Sequence, residues 1–431
     1  MRLNSSQMIL LVAFASAFTL APDLQAQRLG AEIDSTYKAA GDVWKPISLG
    51  DDLDCSEPVT TIYDADVFEL FSDDQISKSD QIGMMVQGNC FNECDPRGAG
   101  DSLFFFSRDS GGNWHSPSEA TVSEPFVALP LIGDDQICGF DGFGRLNAMA
   151  SFSGMMGGPA VVSLDGRYYM AFLKGNGDAW SGEVWWAVSD DGRTWDVMEE
   201  PMLYGAFHRG HQATGSCPEG FTSVTMTTVT EKGRTSFYIY GTYFHPGREY
   251  LQGPGRRVAS SLLFRIPYRP FNPYGLGNRW QIYYRERFQP TTGRLVWSYD
   301  QAAPRALRLE VPRTNNGWGT ETLPFTQSVT RLDDGKFVML VGAFGFQYPE
   351  TALYYRVSED GIVWDETIYE LDVTALQFAF SRRGKILVNS EIWQGTLSGQ
   401  RGTWLFASWS NRCSDQYYHG SAIIPAKVRF R

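Results

Sequence analysis

From Gly157 to Trp195 the chain alternates short runs of Val, Tyr, Phe and Trp with tight polar turns: GGPAVVSLDGRYYMAFLKGNGDAWSGEVWWAVSDDGRTW. Three strands are predicted here: PAVVSL, then RYYMAF after a turn at Asp165 and Gly166, then EVWWAV leading into SDDGRTW. Branched and aromatic residues fit a pleated, half-buried surface, and Asp-Gly between two such runs is a strong hairpin signal. The stretch reads as one small antiparallel sheet.

The pattern recurs. Leu332 to Trp364 repeats it as LDDGKFVMLVG, a loop, then LYYRVSEDGIVW, and SLFFFSRDSGGNW from Ser102 to Trp114 supplies a third strand with its turn. Two further copies keep the hairpin and lose the turn, EKGRTSFYIYG before VASSLLFRI and SRRGKILVN before TWLFASWS. Repeated sheets of this size bury their faces only by stacking on neighbours, so the expected fold is all-β, a five-bladed β-propeller of four-stranded antiparallel blades. VTTIYDADVFEL is the one strand-like piece before Asp80, and alternation puts Asp64 and Asp66 on one of its faces. The segment Phe264 to Phe288 interrupts the repeat with Pro, Asn-Pro and Tyr-Gly signals. The last strand, within YYHGSAIIPAKVRFR, is expected to complete a blade with the N-terminal part of the chain.

Composition narrows the partners. With 431 residues, 43% of them hydrophobic, the chain can bury a large core, and its net charge of −12 with no basic run argues against nucleic acid. Arg2 followed by the apolar run MILLVAFASAFTLA reads as a signal peptide over residues 1–26, leaving 27–431 as a single propeller domain. No apolar run reaches the roughly 20 residues a membrane span needs, so a secreted or periplasmic protein without membrane insertion is expected. The even set Cys55, Cys90, Cys94, Cys138, Cys217 and Cys413 then reads as up to three disulfides of undetermined connectivity. Cys90 and Cys94 lack the second ligand pair a metal site requires. No cofactor is expected; a structural calcium ion in the channel stays open, although no loop of recognisable spacing announces one.

The turns SRDSGGNW, VSDDGRTW and VSEDGIVW resemble those of the Asp-box propellers, the sialidases and their relatives, whose box is Ser-x-Asp-x-Gly-x-Thr-Trp. Ser107, Asp109, Gly111 and Trp114 match it, as do Asp190, Gly192, Thr194 and Trp195, and Glu359, Gly361 and Trp364 form the third copy. Such a carboxylate accepts hydrogen bonds from the N–H groups of its own turn, so these residues build blades and do not catalyse. GGPAVVSLDGRYYMAF followed by VSDDGRTW is also similar to the five-bladed glycosidases of glycoside hydrolase family 43, which open such a blade with Gly-Asp-Pro. This chain has Gly158 where those enzymes carry the Asp. Phe264-Arg265-Ile266-Pro267 repeats the sialidases' Phe/Tyr-Arg-Ile-Pro, but after two boxes instead of before them.

Propeller topology puts the short Asp-Gly turns and boxes on one rim and the long loops on the other. Those loops hold Asp141 and Arg145; Asp178, Trp180 and Glu183; His208 and His211; His245 and Arg248; and Glu391 and Trp393. Aromatic platforms beside carboxylates and polar groups suit a sugar. Glycosidic hydrolysis needs a carboxylic acid with raised pKa and a second carboxylate. Glu391 or Glu183 is the expected proton donor and Asp141 the expected base, with Arg145, His208 and Trp393 holding the sugar. Two alternatives stay open: a non-catalytic glycan-binding propeller, and a polysaccharide lyase using His208, His211 or Tyr243 with Arg248.

Overall fold

The structure, a computed structural model, describes residues 31–33, 60–71, 82–90, 102–108, 118–119, 121–122, 139–140, 144–145, 153–176, 182–198, 201–203, 220–244, 259–270, 279–291, 307, 323–344, 352–372, 385–397, 399–412 and 418–430. All described regular structure is β. In chain order the strands are β1 (Ala31–Ile33), β2 (Thr60–Glu69), β3 (Ile82–Cys90), β4 (Ser102–Arg108), β5 (Ser118–Glu119), β6 (Thr121–Val122), β7 (Gly139–Phe140), β8 (Gly144–Arg145), β9 (Ser153–Leu164), β10 (Arg167–Asn176), β11 (Gly182–Ser189) and β12 (Thr194–Val197). They continue with β13 (Gly220–Glu231), β14 (Arg234–Phe244), β15 (Ala259–Pro267), β16 (Gln281–Tyr284), β17 (Arg287–Pro290), β18 (Leu323–Arg331), β19 (Phe337–Phe344), β20 (Ala352–Ser358), β21 (Tyr369–Asp372), β22 (Lys385–Leu397), β23 (Gln400–Arg412) and β24 (Tyr418–Phe430).

Up-and-down meanders run β2-β3-β4-β5, β9-β10-β11-β12, β13-β14-β15-β16-β17, β18-β19-β20-β21 and β22-β23-β24-β1. The hydrogen-bonded sheets among the described residues nevertheless number four, not the five separate ones expected. Two junctions merge the five meanders into three sheets, β1 pairing parallel with β21 at Glu32 and Asp372 and β11 touching β13 at Gly182 and Phe221, and the two-stranded ribbon β7–β8 is the fourth. β2 packs on β9, β9 on β13, β13 on β18, β18 on β22, and β22 returns to β2, so the first strands of the meanders line a central axis. This is a β-propeller. β1 also pairs antiparallel with β24, Ala31 opposite Phe430, so an N-terminal strand closes the sheet that the C-terminal strand belongs to.

The pattern of the second strands explains why the sheets stack. On β10, Tyr169 and Ala171 pack with Trp186, Phe237 and Ile239, while Tyr168, Met170 and Phe172 pack with Phe68, Met85 and Trp195. Period-2 alternation sends successive side chains to opposite faces, and here both faces meet another sheet, so the run is apolar throughout. The same holds between the third and fourth meanders, where Tyr238, Tyr240 and Leu263 meet Val329, Phe337 and Met339. Val338 and Leu340 meet Ile392 and Leu405 in the next interface.

The segment NSEIWQG, expected as a loop, lies inside the continuous strand β22, and the hairpin after it turns at Gly399. KILVN is therefore a first strand, not the second strand that the SRRG signal implied. No helix of the described residues is long and apolar enough to cross a membrane.

Candidate functional site

Every inner strand carries an extra residue relative to its partner, and β9 a second one between Ser153 and Met156. The shifts fall between Tyr63 and Asp66, between Gly157 and Ala160, between Phe221 and Ser223, between Thr326 and Ser328, and between Leu387 and Ser390. A bulge of this kind re-aims the side chains that follow it. It also breaks the simple alternation that put Asp64 and Asp66 on one face; the Asp64 side chain lies outside the described residues.

Just past the bulges, polar side chains join consecutive inner strands. The Val161 N–H donates to Asp66 Oδ2 at 2.7 Å, the Val329 N–H to Thr225 Oγ1 at 3.1 Å, and the Ile392 N–H to Ser328 Oγ at 3.1 Å. Ala160 and Glu391 immediately precede two of these donors. The interior of the ring is thus a layer holding Asp66, Thr225, Ser328 and Glu391, all buried.

Two of the four are carboxyls, and they act on each other. Burial pushes Asp66 up to about 8, against the pull of the Val161 and Val67 N–H groups. Burial also holds Glu391 well above the ordinary carboxyl range, the negative charge of Asp66 adds to this, and a hydrogen bond from Ser328 opposes it. Desolvation penalises the charged form, and a second carboxylate nearby disfavours ionisation further. The two protons belong to the pair rather than to either residue. One side chain comes from the first inner strand and the other from the last, a proximity that only ring closure creates. Sequence reading selected Glu391 for catalysis and gave Asp66 no such role, placing it with Asp64 on a face of VTTIYDADVFEL that meets the central channel if the strand is innermost and is a solvated edge otherwise.

Of the other expected site residues, Glu183 is described and buried, on the third strand of its meander opposite Lys174, two strands out from the axis. Trp393 is 7% exposed, its ring against Phe406 and over Gly395, where an added Cβ would sit 2.1 Å from the indole. That ring is packed in the sheet rather than presented as an open platform. Asp141, Asp178, Trp180, His208, His211, His245 and Arg248 lie outside the described residues, as does the side chain of Arg145, whose backbone belongs to the ribbon β7–β8. The cysteine side chains and residues 1–26 lie outside them too. Among the described residues no group of three or more His, Cys, Asp or Glu is placed to hold a metal ion.

Gly158, at the position where the family 43 enzymes carry the Asp of Gly-Asp-Pro, has a left-handed φ of +51°, and a Cβ there would meet Leu173 Cδ1 at 3.2 Å. Arg265 is accounted for: its Nε donates to Gln281 Oε1 at 2.7 Å and its guanidinium lies 3.9 Å over the Phe288 ring, so it braces the β16–β17 hairpin.

The corner turns correct the box assignment by one residue. Asp191, not Asp190, accepts from the N–H groups of Arg193 at 2.7 Å and Thr194 at 2.6 Å. Asp360, not Glu359, accepts from those of Ile362 and Val363, both at 2.8 Å. Ser189 and Ser358 complete the turns by accepting from Gly192 and Gly361. Asp190 and Glu359 point outward to Arg167 and Lys336. Trp195 closes its corner by donating to the Gly192 carbonyl at 3.1 Å. The Asp109 turn lies outside the described residues.

No protein-family model and no curated protein sequence matches the chain. Among solved structures, it is similar to a glycoside hydrolase at 13% identity and a TM-score of 0.46, covering 91% of this chain and 94% of that one. A family 117 glycoside hydrolase from the marine bacterium Zobellia galactanivorans gives 11% identity and a TM-score of 0.43, with 90% of this chain and 89% of that one covered. A glycosyl hydrolase from Bacteroides ovatus gives 12% identity and 0.43, with 95% and 98% covered.

Proposed function

We propose that the chain is an exported five-bladed β-propeller that hydrolyses glycosidic bonds, with Glu391 as proton donor and Asp66 as its carboxylate partner. The count of five takes each meander as one blade, the two sheet junctions being contacts between neighbours. The reading is carried by one observation: two carboxyls, Asp66 on the first inner strand and Glu391 on the last, are buried together in the ring layer, near enough for the charge of Asp66 to raise Glu391.

That is the electrostatic arrangement glycoside hydrolysis needs. A carboxyl kept protonated near neutrality gives its proton to the glycosidic oxygen as the bond from that oxygen to the anomeric carbon breaks. In the state of the couple that carries a single proton, held by Glu391, a water then adds to the sugar and leaves its proton on the ionised Asp66, a state favoured as pH rises toward about 8. In this reading Asp66 takes the role expected of Asp141. The long loops carrying Asp141, Arg145, Asp178, Trp180, His208, His211, His245 and Arg248 supply sugar recognition, and the six cysteines pair after export.

Turnover of a glycan panel by purified protein, compared with Glu391→Gln and Asp66→Asn, tests this. Loss in both variants with unchanged melting is expected, and full turnover in either removes the assignment. The glycine at 158 favours one second reading, a glycan-binding propeller without catalysis, because that blade carries no carboxylate at the position. Saturable glycan binding with no turnover at any pH would select it.

A further inference from the structure

The segment that interrupts the repeat extends its own blade. Among the described residues the other meanders run to four strands, but this one adds a fifth, β17, which ends its sheet and pairs only with β16. Four strand spacings of about 4.8 Å put it about 19 Å from the inner strand β13. Between Phe264 and Thr291 the chain carries five arginines and one glutamate, in a protein whose net charge is −12. Arg269, Arg285 and Arg287 are exposed, and Arg279 is partly so. Among the described residues no carboxylate forms an ion pair with any of these four.

The hairpin holds these charges in place. β16 and β17 turn at Arg285 and Glu286, whose φ angles of +52° and +61° are both left-handed. The described hairpins at Asp165-Gly166 and Lys232-Gly233 also turn through two left-handed residues, but each places glycine second. A turn of this type favours Asn-Gly or Asp-Gly, so keeping Arg-Glu there costs stability, and strained residues of this kind cluster where a protein binds or switches. The Arg285 guanidinium lies 5.0 Å over the Tyr284 ring, and Tyr284 stands opposite Arg287 in the ladder. Gln289 Nε2 donates to the Tyr284 carbonyl at 3.0 Å, and Arg265 ties the hairpin to β15 through Gln281 and Phe288. A guanidinium stacked on a ring keeps its planar fork of donors for an oxyanion.

We propose that the β16–β17 hairpin is a second binding surface, for an anionic polysaccharide whose carboxylates or sulfates are held by Arg279, Arg285 and Arg287. Arg279 and Arg285 bracket β16 and lie at most about 20 Å apart at 3.3 Å per residue, so they meet separate charges along an extended chain. The choice of a glycan rests on the glycan-active reading of the ring layer, but the surface itself uses neither Asp66 nor Glu391. The acidic remainder of the molecule repels a densely charged nucleic acid and favours a ligand gripped at one hairpin. Charged residues and Pro290 on an edge strand also discourage strand-to-strand association, a role that needs no ligand.

Affinity electrophoresis of the full chain in gels carrying polygalacturonate, dextran sulfate or neutral dextran tests this, with single-stranded DNA as competitor. Retardation by one or both acidic polymers, absent with dextran and lost as salt rises, is expected, and the two acidic gels tell carboxylate from sulfate. The double variant Arg285→Asn/Arg287→Gln should weaken the retardation about tenfold, the scale of two exposed charge pairs. Asparagine accepts a left-handed turn, so this variant should melt like the parent, and should it not fold, Arg279→Gln is read the same way. Glu391→Gln should bind as the parent does. No retardation in either acidic gel, or retardation unchanged in a folded variant, overturns the proposal, and a variant that only aggregates more makes the arginines edge guards. DNA that displaces the polysaccharide at equal charge concentration overturns the choice of a glycan. Retardation lost in the double variant, with no glycan turned over by the parent, removes the hydrolase reading and leaves this surface standing.

Discussion

Carboxylates accept backbone N–H groups in two places in this molecule, with opposite outcomes. At the corner turns, Asp191 sits largely in water. Its partial burial works against the charge, but the N–H groups of Thr194 and Arg193 and the hydroxyls of Ser189 and Thr194 outweigh it and hold the carboxyl below its ordinary value. In the ring layer, Asp66 also accepts two backbone N–H groups, yet burial dominates and pushes it up to about 8. The same chemistry thus gives a permanent anion at the rim and a proton carrier at the centre. What differs is the water around the carboxylate.

The sharpest way to break this contrast is to remove a proton carrier. Glu391→Gln should lower turnover by about 10²–10⁴, the usual contribution of general acid catalysis, with no loss of melting temperature at neutral pH. Steady-state rates and a thermal scan check it. If the loss appears only alongside unfolding, the carboxyl is structural. Gly158→Asp asks whether a third carboxylate can be added. It forces a side chain onto a left-handed backbone and into Leu173, and should cost roughly 1–3 kcal/mol in denaturant unfolding without raising activity.

The rim predicts the converse. Asp191→Ala or Asp360→Ala removes a local cap and should cost about 1 kcal/mol while leaving turnover intact, as loss of a side-chain cap typically does. A fall in activity without a fall in stability would erase the distinction between the two sets of carboxylates. The smallest effect belongs to the exposed Asp333–Arg401 pair, with 2.7 Å between Oδ1 and Nη2. Asp333→Ala should change stability by no more than about 0.5 kcal/mol, because solvent screens such pairs.

Stability against pH separates the regions too. Asp66 has a folded pKa raised from 3.8 to about 8, so the unfolded chain releases its proton first as pH rises. The stabilisation is complete below pH 3.8 and is lost as pH climbs toward about 8. Asp66→Asn should flatten that decline in urea unfolding measured across this window. For Asp191, whose folded pKa is lowered, the sign reverses, and stability is lost on acidification.

Much of the fold was written plainly in the chain. The Asp165-Gly166 hairpin and the strand RYYMAF appear as read, the strand with both faces packed instead of one. The corner carboxylate was misplaced by one residue because Asp190 and Asp191 are adjacent, and only hydrogen-bond geometry tells the capping one from the exposed one. Glu391 stood out by its position before Trp393. Asp66 did not, since its significance comes from lying beside Glu391, more than 300 residues later, and from a bulge that period-2 reasoning does not register. Trp393 looked like a sugar platform because sequence shows ring chemistry but not that Gly395 lets the indole lie flat on its own strand.

The central claim is that Asp66 and Glu391 act as one buried acid couple. Carbon-13 NMR titration of the labelled side-chain carboxyls measures this directly. The account predicts that the couple still holds a proton at neutral pH, and that Asp66→Asn lowers the pKa of Glu391 by removing its charged neighbour. Two independent carboxyls ionising near 4, each unmoved by loss of the other, would contradict it.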